Sequence, residues 1–278
     1  YGICTPASLS RIENGAQKPG RLILEKLFER LGTENNLFNS FVSREEMELY
    51  SAIQELIRNI TDDAVSKIET QIEVVEKLAV NTSELEHQCL YFAKGELARQ
   101  KEKDDEKAME MYMKAIHITL PDFDGKNPLR NNLLTFDEIM IINSIAILYG
   151  NSENVITAIQ LDMWLKEYME NKIVDGKMKT TKYPMIMYNL SCWLEDKGCY
   201  REELRMAEQG IDFCVKYGNL ALFPKLVLNK GGALVKMGDN ENARKYLHQA
   251  ITIFDAMGKL EIVQQVTAWC KDNCEFEI

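Results

Sequence analysis

Asn143, Asn189 and Asn229 recur along the chain at matching places, the last two 40 residues apart and each nine residues ahead of a glycine. A primary amide offers two donors and an acceptor. A row of them therefore suits the N–H and C=O groups of an extended peptide main chain, whatever its sequence. Met185, Tyr188, Cys192, Lys225, Leu228 and Lys236 fall on the same helix faces. Together they make a mixed apolar and cationic surface, fit for an apolar peptide with an acidic group or a free carboxylate. The other reading of each amide is a bond to a neighbouring helix.

A second set lies at the start of the chain, in Cys4-Thr5-Pro6-Ala7-Ser8-Leu9-Ser10-Arg11-Ile12-Glu13-Asn14-Gly15 and then Gln17-Lys18-Pro19. Leu9 and Ile12 share one helix face, which leaves Ala7, Ser8 and Arg11 on the outer one. The N-terminal side chains of a helix lying in the major groove reach base edges. Arg11 can grip a guanine edge through two hydrogen bonds, or pair instead with Glu13. Asn14 and Lys18 stand in the following turn, where a polar or cationic group can contact phosphate. Thr5, Ala7, Ser8, Arg11, Asn14 and Lys18 are thus the candidate DNA contacts.

Other chemistry is poorly represented. His87, His117 and His248 share no ligand spacing, and the seven cysteines contain no CxxC pair, although Cys270 and Cys274 share a helix face. No phosphate loop, nucleophile-and-base arrangement or paired metal ligands occur, so neither catalysis nor a cofactor or metal is expected. Most of the thirteen methionines fall at core spacing. An odd cysteine set without a secretory segment points to a reducing cytoplasm, and no apolar run approaches a membrane span.

Charge separates the two candidate regions. Net charge is −10. Residues 1–32 carry five basic and three acidic side chains, while the rest carry 28 basic and 40 acidic. An acidic body is repelled by DNA, so any nucleic-acid contact is confined to the basic head.

The elements that must position these groups are helices. Only six prolines and fifteen glycines interrupt 278 residues. Thr5 before Pro6 is a helix start, Asn14-Gly15 a stop, and Leu22, Leu24, Leu27, Phe28 and Leu31 mark a second helix ending at Gly32. Amphipathic helices are predicted over 44–59, 62–80, 83–101, 104–119, 134–149, 152–172, 182–197, 200–217, 220–237, 240–256 and 259–273. Pro121–Arg130 and Val174–Thr181 are the predicted breaks.

These helices pair, and the pairs repeat with small residues where two helices touch: Gly231, Ala243 and Ala250 in the last unit, Ser191, Ala207 and Gly210 before it. Residues 89–120 give a third copy around Gly95, Ala108, Tyr112 and Ala115, with one extra residue in its turn. Residues 139–172 give a looser fourth around Asn143, Gly150 and Ala158. The pattern resembles the tetratricopeptide repeat, with longer units than usual; a non-repeating helical bundle is the alternative. In that repeat the asparagine positions face the concave side of the superhelix.

The Leu-Ser-Arg-Ile-Glu-Asn-Gly run at Leu9–Gly15 resembles the recognition helix of the Cro/C1-type repressors, the XRE family. Joined to a tetratricopeptide-like body, it resembles the peptide-pheromone-responsive regulators of Gram-positive bacteria, the Rgg/PlcR/PrgX type. The resemblance implies a cytoplasmic transcription regulator that binds a short signalling peptide in its body and operator DNA through its head, as a homodimer. The family's head begins with two further helices, of which only Tyr1-Gly2-Ile3 matches the end of the second. A truncated chain is therefore expected, with weak or absent DNA binding by these residues alone. The expected fold is all-α: a partial helix-turn-helix head over 1–32, a linker with the start of the first body helix over 33–50, and a right-handed tetratricopeptide-like α-solenoid over 51–278. The alternative is a helical-repeat scaffold acting on a partner protein without DNA.

Overall fold

The computed structural model describes residues 2–32, 43–61, 64–79, 84–129, 133–172 and 176–274. Among them are thirteen α-helices and no strand, and they form two compact units: residues up to Glu153, and Asn154–Lys172 with Gly176 onward. The all-helical expectation holds.

In the first unit α1 (Pro6–Glu13) and α2 (Arg21–Arg30) form the head. Thr5 caps α1 by accepting from the Ser8 amide at 3.1 Å, and Pro6 follows at the first helical position. The stop falls where Asn14-Gly15 predicted it, with Gly15 at φ 70°. The helices α3 (Arg44–Thr61), α4 (Val65–Leu78), α5 (Glu84–Leu97), α6 (Asp105–Thr119) and α7 (Phe136–Gly150) follow. Residues 33–42 of the predicted linker, and the predicted helix ends at 62, 80 and 83, lie outside the described residues.

The extra residue expected between the helices of the third repeat is taken up at Ala98–Glu102, which winds as a π-helix and ends on Lys103 in the left-handed region at φ 58°. A wider turn of this kind inserts one residue without unmaking the helix. Buried Glu96 anchors it. Its carboxylate accepts from the Tyr112 hydroxyl at 2.7 Å, Ser144 at 2.6 Å, Gln100 at 2.7 Å and Arg99 at 2.5 Å. Burial works against the charge, but the Arg99 guanidinium and the two hydroxyls hold the carboxyl below its ordinary range.

The second unit stacks α8 (Val155–Asn171), α9 (Gly176–Asp196), α10 (Tyr200–Tyr217), α11 (Phe223–Lys236), α12 (Asn240–Ala256) and α13 (Leu260–Asn273). The predicted small-residue contacts are present. A Cβ on Gly231 would come within 2.8 Å of the Leu247 side chain, and one on Gly210 within 2.9 Å of Leu226. Ala243 and Ala250 are fully buried beside them.

The break predicted at Val174–Thr181 is corrected: the chain is helical from Gly176, so Pro184 sits well inside α9. Residues 174 and 175 lie outside the described residues. Proline removes one helical N–H, the one that would serve the carbonyl four residues back. That carbonyl belongs to Thr180, and Asn219 donates its side-chain amide to it at 2.8 Å. A donor 39 residues away thus lets the helix run through its proline. Asn219→Ala is expected to lower stability by about 1 kcal/mol, and to cost much less in a Pro184→Ala background, where the backbone N–H returns. Urea unfolding of the four proteins in this cycle measures the coupling.

Candidate functional site

The head exposes the groups proposed to meet DNA. Thr5, Ala7, Arg11, Asn14 and Lys18 are exposed, and Ser8 is half-buried. Thr5 and Ser8 exchange a hydroxyl hydrogen bond of 3.0 Å, and the Arg11 guanidinium lies 3.4 Å from the Ser8 oxygen. Asn14 turns its amide back onto the Ser10 carbonyl at 2.8 Å, a capping role in addition to any phosphate contact. Leu9 and Ile12 are only half-buried, and α1 buries none of its residues fully.

The second helix of the head, α2, is bonded to the body. Lys26, only 3% exposed, lies 2.9 Å from Asp137 and 3.0 Å from Glu29. Burial opposes its charge, yet Asp137 and Glu29 keep the ammonium well above its usual range. Glu29 also accepts from the Phe136 amide at 2.8 Å, and Arg30 pairs with buried Glu138. On the other side of α2, Tyr50 donates to Glu25 at 2.8 Å and the Arg21 amide donates to Glu46 at 2.6 Å. Nothing in the spacing of Lys26, Glu29 and Arg30 distinguishes this from an ordinary solvated helix face.

In the second unit the first helices of successive hairpins lie side by side and bring the predicted peptide-binding residues together. On α9, Met185, Tyr188, Asn189 and Cys192 form one half-buried strip. On α11, Lys225 and Lys236 are exposed and Asn229 half-buried. Lys225 lies over the Tyr188 ring at 5.3 Å and Lys236 over the Trp269 ring at 5.7 Å, each a cation–π contact joining neighbouring helices. Lys236 also lies 3.5 Å from the Asn273 side-chain oxygen.

The asparagines differ in their surroundings. The Asn229 amide donates to Ser191 at 2.6 Å and lies 3.3 Å from the Cys192 sulfur. Asn189 donates to Asp162 at 3.3 Å. Burial pushes that aspartate well above the usual carboxylate range, with the Asn189 amide pulling the other way. Asn143 lies in the first unit, on α7, and is 2% exposed; the structure places it in packing rather than on a surface strip. Leu228 leans away from the strip into the core of α12 and α13, beside Ala250, Phe254 and Leu247. Gly232, between Lys225 and Lys236 along the same side of α11, escaped the sequence reading although it stands three residues beyond Asn229.

Glu203, on α10, is fully buried, and neither of its carboxyl oxygens has a hydrogen-bond partner among the described residues. The next repeat carries Ala243 at the matching position, 40 residues on. Burial, then the Glu195 charge, pushes the Glu203 carboxyl up to about 8, with Lys236 pulling back. No metal cluster of three or more acidic, histidine or cysteine side chains occurs among the described residues, and no helix there is long and apolar enough to cross a membrane.

Two outcomes follow from these buried charges. Lys26→Met leaves Asp137 and Glu29 without their cation and is expected to cost about 3–5 kcal/mol, read by thermal unfolding. Glu203 binds its proton more tightly folded than unfolded, so its contribution is full below pH 4.5 and is lost as pH rises to about 8. Glu203→Gln should therefore stabilise the protein above pH 8 by about 1–3 kcal/mol, and the gain should vanish below pH 4.5. A gain independent of pH would contradict this assignment.

Comparison with known proteins bears on the whole chain. No curated protein matches it. Among solved structures it resembles Bacillus thuringiensis PlcR in complex with the peptide PapR7 and DNA, with TM-score 0.67 at 18% identity over 95% of this chain and 90% of that one. The apo form of Bacillus thuringiensis PlcR follows, with TM-score 0.60 at 18% identity over 94% of this chain and 91% of that one. At this identity the likeness establishes the fold. Residues 126–273, more than half of the chain, match the RNPP family C-terminal domain, and the chain accordingly belongs to the RNPP family.

Proposed function

We propose that the protein is an intracellular transcription regulator whose helical body senses a short signalling peptide and controls operator binding by its head. The observation that carries the reading is the arrangement of α1 and α2. The first leaves Thr5, Ala7, Arg11, Asn14 and Lys18 exposed, while the second is bonded to α7, which lies within the family's C-terminal domain. The solved relative in fold is a PlcR complex holding both a peptide and DNA, which supports the same pair of partners here.

In this reading residues 1–32 are the head and residues 51–278 the sensing body, joined through 33–50. Arg11 reads a base edge, Thr5, Ala7 and Ser8 line the helix face against the groove, and Asn14 and Lys18 meet phosphate. Met185, Tyr188, Asn189, Lys225, Asn229 and Lys236 hold the peptide, the lysines favouring an acidic group or carboxylate. A two-part operator needs two heads related by a twofold axis, hence a homodimer. Met257 and Leu260, 50% and 59% exposed at the α12–α13 turn, support a contact through the C-terminal hairpins. The peptide shifts the balance of two body states by the difference of its affinities for them, and operator affinity follows.

The test uses protein expressed from its full reading frame. Members of a synthetic short-peptide library should raise its melting temperature, and Asn189→Ala or Asn229→Ala should weaken the best of them about tenfold, near 1.4 kcal/mol. Arg11→Ala should cost about 1–3 kcal/mol of operator discrimination, measured by anisotropy on DNA selected from a random pool. Unchanged peptide affinity in both asparagine variants would sink the sensing role; unchanged operator preference in Arg11→Ala would sink the base contact.

A further inference from the structure

The direction of the Asn229 amide is fixed by its neighbours. The Ser191 hydroxyl donates its only proton to the Tyr188 carbonyl at 2.7 Å, so it meets Asn229 with lone pairs alone. The group facing Ser191 at 2.6 Å is therefore the Asn229 amide nitrogen, and the carbonyl oxygen is turned the other way. That oxygen has no partner among the described residues. The helix thus presents an acceptor at this point, suited to an N–H group.

The adjoining surface is shaped for close approach. Gly231 and Gly232 are consecutive, but they serve different ends. A Cβ on Gly231 would strike Leu247, whereas one on Gly232 would meet nothing within 4 Å. A glycine inside a helix weakens it relative to alanine, and among the described residues no packing requires Gly232. It lies on the same side of α11 as Lys225 and Lys236, between them along the helix axis and three residues past Asn229. The opposite face of α11, with Leu226, Val227, Ala233 and Leu234, is buried.

We propose that an extended peptide main chain crosses α11 directly over Gly232 and donates an N–H to the Asn229 oxygen, Ser191 being the residue that positions that oxygen. The inference rests on the peptide-sensing reading and adds where the main chain lies and which way its hydrogen bond runs. A bare helix surface at Gly232 lets the main chain come closer than any side chain would allow, and Lys225 and Lys236 flank it with positive charge.

Gly232→Ala separates this from a structural role, because the two predict opposite signs. The probe is an unblocked synthetic heptapeptide library, screened for retention on the full chain, followed by versions of the best-retained peptide with each amide N-methylated in turn. The variant should melt roughly 3 °C higher, as helix propensity requires, and yet bind the retained peptide at least tenfold more weakly. One N-methylated version should bind the wild type at least tenfold more weakly, while Asn229→Ala no longer distinguishes it from the parent peptide. A retained peptide indifferent to Gly232→Ala, or N-methylation effects equal in wild type and Asn229→Ala, overturns this inference and leaves the sensing role standing. Retention of no library member by the wild type overturns the sensing role and this inference with it.

Discussion

The attachment of the head depends on an ammonium group held out of water between two carboxylates. Taking Lys26 from solvent is costly, and only the close approach of Asp137 and Glu29 makes its charge tenable there. The same residues are committed elsewhere. Asp137 and Glu138 occupy the first turn of α7, where negative charge suits the helix dipole. Glu138 also accepts from the Thr135 amide at 2.6 Å, completing a capping box, while its other oxygen receives Arg30. One carboxylate therefore both starts α7 and holds α2. Helix initiation in the family's C-terminal domain and docking of the head are a single electrostatic arrangement.

The surface strip of the second unit follows a different logic. Its side chains are joined across helices by weak, directional contacts: a lysine over a ring, an amide against a hydroxyl. These leave the backbone framework to small residues such as Gly210 and Gly231, which set how closely the hairpins stack. Rigidity comes from the packed side of each helix and chemistry from the open side, so the strip can vary without disturbing the stack.

Much of this was legible in the chain. Helix positions followed from periodicity and from punctuation such as Thr5-Pro6 and Asn14-Gly15. The close contacts at Gly95, Gly210 and Gly231 followed from small residues recurring between larger ones. What escaped detection has a common cause: distant partners. The break expected at Val174–Thr181 is instead helical from Gly176, and Asn219, 35 positions beyond Pro184, supplies the donor that the proline lacks. Lys26 reads as solvated until α7 arrives. Asn143 matches the other asparagines by pattern, yet its burial is set by packing that periodicity does not encode. Gly232 was visible by spacing alone, but only the empty space around it separates its role from that of Gly231.

The bonds between the head and α7 close unusually long loops: Phe136 meets Glu29 across 107 residues and Arg30 meets Glu138 across 108. During synthesis α2 is made well before its partners on α7, Asp137 and Glu138, exist. At roughly 5–20 residues per second, the ribosome needs on the order of 5–20 seconds to deliver them. For that interval a basic head precedes its acidic anchor out of the exit tunnel. Its lysine has only Glu29 beside it and remains hydrated, since Asp137 has not yet arrived. The docking of α2 on α7 is thus completed long after α2 itself is made.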